Sequence, residues 1–570
     1  MRSLIAAALF VVSLITGGVG LGLQTIWAPP SSYVEKLELE NDVAFATISN
    51  QALKLHPGKP TVKVTGDARV YIGYGRGADV FAWLGSSSHL LIRPAKTGNS
   101  AFEVRPAYGT SLNAANPAGS DLWRDEVGGK ITAELAIDPS DDAVVLLAAN
   151  GTLPVPSKIE ISWKNKVDLY WSNFLLVSGL VIFLLATLLL VIDRRLKRIA
   201  NGPKRRYRKP PKPPKVKVKR KPPTAPIRGR RAIRRRWLAI AVFAPLVLSG
   251  CTSADPGSSG SADPSASATL IDVKPPAVTP AQLAKILVKV SDAVRIADAE
   301  KDKKLLAKRV DGAALTMRSA HYVLQSKSED IAALPEVAAT PISFSLPMAT
   351  DSWPRSVFAI TTSKLENGIP QLLVLTQNTP RAQYKLTYYV NLIPGVDIPE
   401  VSSSEVGAIA VDPKSLFLKL PPLDLVTAYG DVLNKGKASL SAGLFELDDD
   451  AFYKQISASQ KQQVASLPNA TFKFEHALLE RKKVTALSTS NSGALVVLYM
   501  QDTYTIKPRN GNSAVAVSGD EKLLLGADGS TRGVRTKYGN MMFFYVPSLS
   551  SDAGIKLLGA TQGLLSVKSL

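Results

Sequence analysis

The sequence predicts a multidomain membrane protein with transmembrane helices, an all-β sandwich-like extracytoplasmic domain, and a duplicated α+β C-terminal region. Three observations predict it. Long uncharged apolar runs interrupt the chain, its surplus positive charge sits in one block, and short alternating segments give way to a helix-then-strand order that occurs twice. The 570 residues, 45% hydrophobic and 20% charged, have the composition of folded protein and exclude a disordered chain. Residues 194–236 carry 21 Lys or Arg and no acid within a net charge of +22, so the rest of the chain is close to neutral. The single cysteine, Cys251, excludes intramolecular disulfides and Cys-based zinc sites.

Residues 1–27 contain the first apolar run, 4–27, which is about 36 Å long as a helix and exceeds a hydrocarbon core of about 30 Å. It reads as a transmembrane helix, with a cleavable signal peptide as its rival; Ile26-Trp27-Ala28 is a poor small-x-small cleavage site. The second run, 169–192, ends abruptly in Asp193-Arg194-Arg195 and reads as a second span. Gly18 and Gly22 form a G-x-x-x-G spacing that suits helix packing in a membrane.

Basic residues stay in the cytoplasm, which makes 193–236 an internal loop, and alternation places 28–168 and everything after Cys251 outside. Trp27, Tyr170 and Trp171 then fall at the outer interface. The loop is Pro-rich around Lys209–Lys215 and should be extended rather than helical. Its expected partner is anionic phospholipid of the inner leaflet. With no aromatics interleaved beyond Tyr207 it lacks a base-stacking platform, so no nucleic acid is expected.

Residues 28–168 hold short β-rich runs at 61–64, 69–74, 79–84, 89–92, 102–105, 130–137, 143–148 and 158–163, separated by turn residues. Such spacing without a long amphipathic helix argues a β-sandwich or barrel. The third apolar segment, 237–251, contains an uncharged run of about 21 Å as a helix, too short to cross alone. Behind the basic cluster 230–236 and the apolar stretch from Trp237 come Leu248, Ser249, Gly250 and Cys251. This order resembles a bacterial lipoprotein signal and its lipobox. The resemblance implies diacylglycerol on the Cys251 thiol and cleavage before it. It departs from that pattern in opening after 229 residues, and no methionine lies between Met1 and Met317. A fusion of a two-span membrane protein to a lipoprotein accounts for the position; the alternative is a short buried helix with a free cysteine.

Residues 252–279 read as a tether, since the Ser, Ala, Asp, Pro and Gly that dominate 252–269 bury little apolar surface. Leu283, Ile286, Val290, Ala293 and Ala297 recur at helical spacing, and 305–324 continues the pattern. Strands follow at 342–346, 356–363, 371–376 and 384–392. After a linker at 401–420 the order repeats, with helices within 423–433 and 449–465 and strands at 471–479, 484–488, 494–506, 534–546 and 555–567. The two units are therefore 280–400 and 421–570. Their element order resembles the NTF2-like, or cystatin-like, cone, in which a curved sheet wraps a helix; both units are then cone-like. Residues 309–318, Arg-Val-Asp-Gly-Ala-Ala-Leu-Thr-Met-Arg, also resemble uncharacterised actinobacterial membrane and lipoprotein-type envelope proteins.

Catalytic chemistry has few candidates. None of His56, His89, His321 and His476 stands at a metal-ligand spacing, so neither metal nor cofactor is expected. His321 beside Tyr322 could serve as a general base in a cone pocket, whereas Glu475 and His476 point to opposite faces of a strand. Asp448, Asp449 and Asp450 read as an acidic helix start, and Gly73, Gly75 and Gly77 as a turn or bulge. No catalytic residue is assigned. The expected function is that of a non-catalytic bacterial cell-envelope protein, scaffolding or binding an envelope protein partner at the outer face of the cytoplasmic membrane. The alternative is a pocket-containing enzyme or binding protein for a small lipid or envelope precursor.

Overall fold

The computed structural model describes residues 2–200, 202 and 274–570, apart from 29, 41, 97–99, 111–114, 140–141, 166–168, 364–367 and 511–512. Leu248, Ser249, Gly250, Cys251, and most of the basic loop and of the tether therefore lie outside the described residues. Two compact units emerge, one holding the apolar helices and the other holding residues 29–167 together with 272–570. The chain opens with helix α1 (Arg2–Gln24).

Among the described residues ten strands and two short helices follow: β1 (Ser32–Glu38), β2 (Phe45–Ile48), α2 (Asn50–Leu53), β3 (Lys59–Thr65), β4 (Val70–Arg76), α3 (Gly77–Leu84), β5 (His89–Pro94), β6 (Phe102–Ala107), β7 (Asp125–Gly129), β8 (Thr132–Ala136), β9 (Ala143–Ala148) and β10 (Lys158–Lys164). They make a four-stranded sheet, β1-β10-β3-β8, and a six-stranded one, β6-β5-β2-β9-β4-β7. Side chains alternate across a strand, so Val62 and Val64 of β3 and Ile159, Ile161 and Trp163 of β10 all face one core. There they meet Ile72, Ile92, Val145 and Leu147 of the larger sheet.

Two features depart from an all-β reading. Strands β2 and β5 pair in parallel, and 79–84 is part of helix α3 instead of a strand. Val80, Trp83 and Leu84 recur at three- and four-residue steps and form the buried face of that helix. A short apolar run fits both periods, and only tertiary burial decides between them.

Helix α4 (Tyr170–Ala200) extends past residue 192, so the first part of the expected basic loop is helical, with Lys197 Nζ 2.7 Å from Asp193 Oδ2. Helices α1 and α4 are both long and apolar enough to cross a membrane. They run antiparallel: Gln24 Nε2 donates to Asn173 Oδ1 at 2.6 Å, and the rings of Phe10 and Phe183 meet edge to face. A Cβ on Gly179 would stand 2.8 Å from the Gly17 nitrogen, and one on Gly20 would stand 2.9 Å from that of Leu176. A Cβ on Gly18 would have open space and one on Gly22 would meet Trp27, so the close approaches are made at Gly20 and at Gly179, the latter against the Gly17 backbone, rather than by the Gly18 and Gly22 pair.

The C-terminal region begins before its first helix. Ala277 and Val278 are buried and Pro276 bridges Ala349, so 274–279 is packed structure and not tether. Thr279 and Gln282 then cap α5 (Pro280–Glu300) reciprocally. The tract expected as one helix over 305–324 is split between α6 (Lys303–Leu306) and α7 (Gly312–Gln325), because Val310 leaves the helix to bridge Leu386. Strands β11 (Ile342–Pro347), β12 (Arg355–Thr361), β13 (Gln371–Gln377) and β14 (Lys385–Asn391) form an antiparallel sheet in chain order.

Helices α8 (Leu425–Lys435) and α9 (Ala451–Ser466) precede β15 (Ala470–Leu479), β16 (Thr485–Ser488) and β17 (Ala494–Pro508). A small hairpin of β18 (Val515–Ala516) and β19 (Gly529–Ser530) encloses α10 (Gly519–Leu525), and β20 (Val534–Val546) and β21 (Lys556–Ser569) complete the order β15-β17-β20-β21. Residues 401–420 are stitched to both sheets through bridges of Ala408 to Met348 and Ala410 to Leu487.

The two halves share their interior. Leu495, Val497 and Tyr499 of β17 pack with the first half, while Val496, Leu498 and Met500 pack with Tyr429, Val432, Phe452 and Ile456 of α8 and α9. Strand β20 repeats the pattern, Met541 and Phe543 facing one way and Met542 and Phe544 the other. Strands β17 and β20 are therefore buried on both faces over residues 494–500 and 539–546.

Candidate functional site

Among the described residues, a set of buried charges lies where the 30–165 domain meets the 274–570 region. Asp79, in the first turn of α3, accepts from Arg76 Nη2 at 2.8 Å and from Arg355 Nη1 at 2.7 Å. Arg355 heads strand β12, is 0% exposed, and stacks 3.6 Å from the centroid of the Trp353 ring. Trp353 in turn packs against the cluster of Phe45, Tyr71, Val80, Trp83 and Trp123 from the first domain. An uncompensated charge in such a place costs several kcal/mol, so each arginine there requires its carboxylate.

Asp121 is the second anchor. It accepts from Arg309 Nη1 at 2.5 Å and Nη2 at 3.3 Å, from the Tyr384 backbone N–H at 2.8 Å and from Lys289 Nζ at 3.4 Å. All four bonds come from the other side of the seam. The third anchor is Arg381, whose Nε donates to the Trp83 carbonyl at 2.8 Å and whose Nη2 donates to the Leu84 carbonyl at 3.0 Å and to Ser87 Oγ at 3.1 Å. These are carbonyls at the C-terminal end of α3, where a cation is favoured. Gln282 Nε2 to the Leu122 carbonyl at 2.8 Å and Lys285 Nζ to Asp125 Oδ1 at 3.1 Å extend the contact along α5.

The histidines resolve differently. His321 Nε2 sits 2.9 Å from the Ala332 carbonyl, a local loop contact, while its neighbour Tyr322 donates to Asp298, the carboxylate that also holds the fully buried Arg318. Sequence reasoning missed a pairing at His476. Its directly opposite residue on β17 is Asp502, 0% exposed, and His476 Nδ1 lies 2.7 Å from Asp502 Oδ1. Nε2 faces Asn434 Oδ1 at 3.2 Å, so both ring nitrogens are engaged. Helix α8 closes the site: a Cβ on Gly430 would stand 2.7 Å from His476 Cβ. The dyad therefore joins β15, β17 and α8.

Asp450 caps α9, accepting from the Tyr453 N–H at 2.8 Å and from the Tyr429 hydroxyl at 2.6 Å. Burial pushes its carboxyl above the ordinary value, against the pull of those hydrogen bonds. Gly73 and Gly75 lie within strand β4 and Gly77 opens α3, so this stretch is neither a turn nor a bulge. A cleft of about 290 Å³ is lined by Asp311, Ser356, Thr376, Thr387, Lys482 and Lys483, among others. Lys483 Nζ is 3.4 Å from Asp311 Oδ2, and the three hydroxyls run in a chain from Ser356 through Thr376 to Thr387, which donates to the Val374 carbonyl. Among the described residues no three His, Cys, Asp or Glu side chains converge on a metal position.

Asp79, Asp121, Arg309, Arg355 and Arg381 were not nominated from sequence. One signal was present: a lone charge at the edge of an apolar run, as in Arg355-Ser-Val-Phe-Ala-Ile, marks a buried ion whose partner must be elsewhere. A family described as a domain of unknown function, DUF8094, matches residues 274–569, more than half of the chain. No curated protein and no solved structure matches it.

Proposed function

The chain belongs to the DUF8094 family, and from that premise we propose that it is a non-catalytic protein of the bacterial cell envelope, scaffolding or binding a partner at the outer face of the cytoplasmic membrane. The observation that carries this reading is the seam. Its buried charges are spent on holding two folded regions together, and the His476 and Asp502 pair is likewise spent between elements. Helices α1 and α4 supply the membrane spans, with residues 30–165 and 274–570 outside. The basic loop rests on anionic lipid inside. Cys251 is the lipid attachment point, and cleavage before it yields a two-span piece and a lipoprotein.

A second reading has the cleft beside Lys482 and Lys483 to favour it. Hydroxyls and ammonium groups suit a small anionic ligand such as the headgroup of a lipid or envelope precursor, held rather than transformed.

The test is topological. In a chain with Cys251 replaced, single cysteines at the exposed Ser86 and Ser459 should react with a membrane-impermeant thiol reagent in intact protoplasts, whereas one at Thr224 should not. Labelling at Thr224 overturns the placement. In cells with Cys251 intact, labelled fatty acid should enter the C-terminal product and vanish with Cys251→Ala.

A further inference from the structure

We propose that the seam is a self-sufficient protein–protein interface: residues 274–570 remain bound to the 30–165 domain when the chain between them is cut, so that processing would leave a two-chain complex. The partner of the DUF8094 region is thus the acidic, Trp-bearing face of a membrane-anchored chain, here encoded in the same polypeptide. The proposal rests on the processing reading above only for the cut itself, in which water hydrolyses the Gly250–Cys251 peptide bond to a carboxylate on Gly250 and an amine on Cys251.

Three features distinguish this contact from the packing of neighbouring lobes. The first is charge polarity. Asp79, Asp121 and Asp125 stand on one side, facing Arg355, Arg309, Arg381, Lys285 and Lys289 on the other. Arg76 with Asp351, 3.2 Å apart, runs in the opposite sense and lies beside the Asp79 anchor, where it fixes register. Complementary fields of this kind select a partner and reject wrong alignments.

The second is anatomy. The centre is dry, with Asp121 and Arg355 at 0% side-chain exposure, and the rim is wet, with Lys285 and Asp125 about half exposed. A desolvated centre of Trp and Arg inside a polar rim is how binding energy is distributed in interfaces between separate chains. Trp83, Trp123 and Trp353 supply the aromatic anchors, and the Arg381 guanidinium lies 5.2 Å from the Trp83 ring centroid. The third is backbone recognition. The carbonyls of Trp83, Leu84, Leu122 and Arg124 all accept from side chains across the seam, which fixes position without help from the connecting chain.

The experiment uses the full chain with Cys251→Ala, a protease recognition sequence inserted between Pro264 and Ser265, and a different tag at each end. After cutting in mild detergent, the C-terminal piece should stay on resin that captures the N-terminal tag. Arg381→Ala should raise the dissociation constant of the cut pieces at least tenfold. Lys285→Glu, on the exposed rim and harmless to folding, should raise it several-fold, and adding Asp125→Lys should restore it. Complete separation of the unsubstituted pieces after cutting overturns the proposal, as does retention indifferent to both Arg381→Ala and Lys285→Glu. Because the cut is engineered, a chain that is never processed in cells defeats the processing reading while leaving this interface standing.

Discussion

Arg309 and Arg318 stand nine positions apart and end in different places. Arg309 crosses the seam to Asp121, while Arg318, without solvent contact, is held by Asp298 and the Pro335 carbonyl with the Tyr389 ring centroid 5.1 Å away. The sequence shows that such charges exist but not where they go, because Asp121 lies in another domain and the pairing depends on how the elements between them fold. The same limit applies to His476, whose strand position was legible but whose partner depended on the register of β15 against β17. Asp450 was read correctly as a helix start, since an Asp before an amphipathic run satisfies free N–H groups locally. Its environment carries a prediction. Burial raises its folded pKa above the ordinary 3.8, so as pH rises from about that value the unfolded chain releases the proton first. The contribution is fully present below the unfolded value and is lost as pH rises through the folded one. Asp450→Asn keeps a capping oxygen and removes the titration. Across that window, melting temperatures should shift progressively in favour of the variant, and a pH-independent difference would refute the assignment.

At the scale of elements, legibility tracks length and locality. Helix α5 was plain from five apolar residues on one face, and seven of the ten strands described in the 30–165 domain from short β-rich runs between turn residues, whereas β1, β2 and β7 were passed over. Helix α3 was lost because its eight residues make barely two turns, and β18, β19 and α10 were lost because their pairings are too short to leave a pattern. The pairing of α1 with α4 shows the remaining ambiguity: glycine spacing announces close packing but not which glycines approach. Substitution separates them. Gly179→Leu would drive its side chain into the Gly17 backbone and should lower the melting temperature of the detergent-solubilised chain, at a cost of about 1–3 kcal/mol, as for overpacking generally. Gly18→Leu, facing open space, should leave it within a degree or two of the parent. Equal loss from both would mean that α1 and α4 do not pack through this face.

At the scale of the molecule, the duplicated helix-then-strand order was readable, but the fusion of the two halves through one interior was not. Pattern reports which residues are apolar; it does not report that β17 and β20 have two buried faces, since a run such as Ala494-Leu495-Val496-Val497-Leu498 reads the same beside one layer or between two. A fragment of residues 274–400 should therefore be unable to fold alone. It would expose Phe358, whose ring meets Phe543 at 6.3 Å, and neighbours each worth about 1.5–3 kcal/mol when buried. Dispersed amide resonances from that fragment would contradict the shared core. The two-faced sheet also sets a schedule. Synthesis delivers β11 through β14 roughly 150 residues before Met541 and Phe543, a wait of about 8–30 s at about 5–20 residues per second, during which one face of the first sheet has no lid. Until β20 arrives, the growing chain is a substrate for aggregation or for a holdase, and this interval, rather than any single contact in the finished fold, is where its maturation is most exposed.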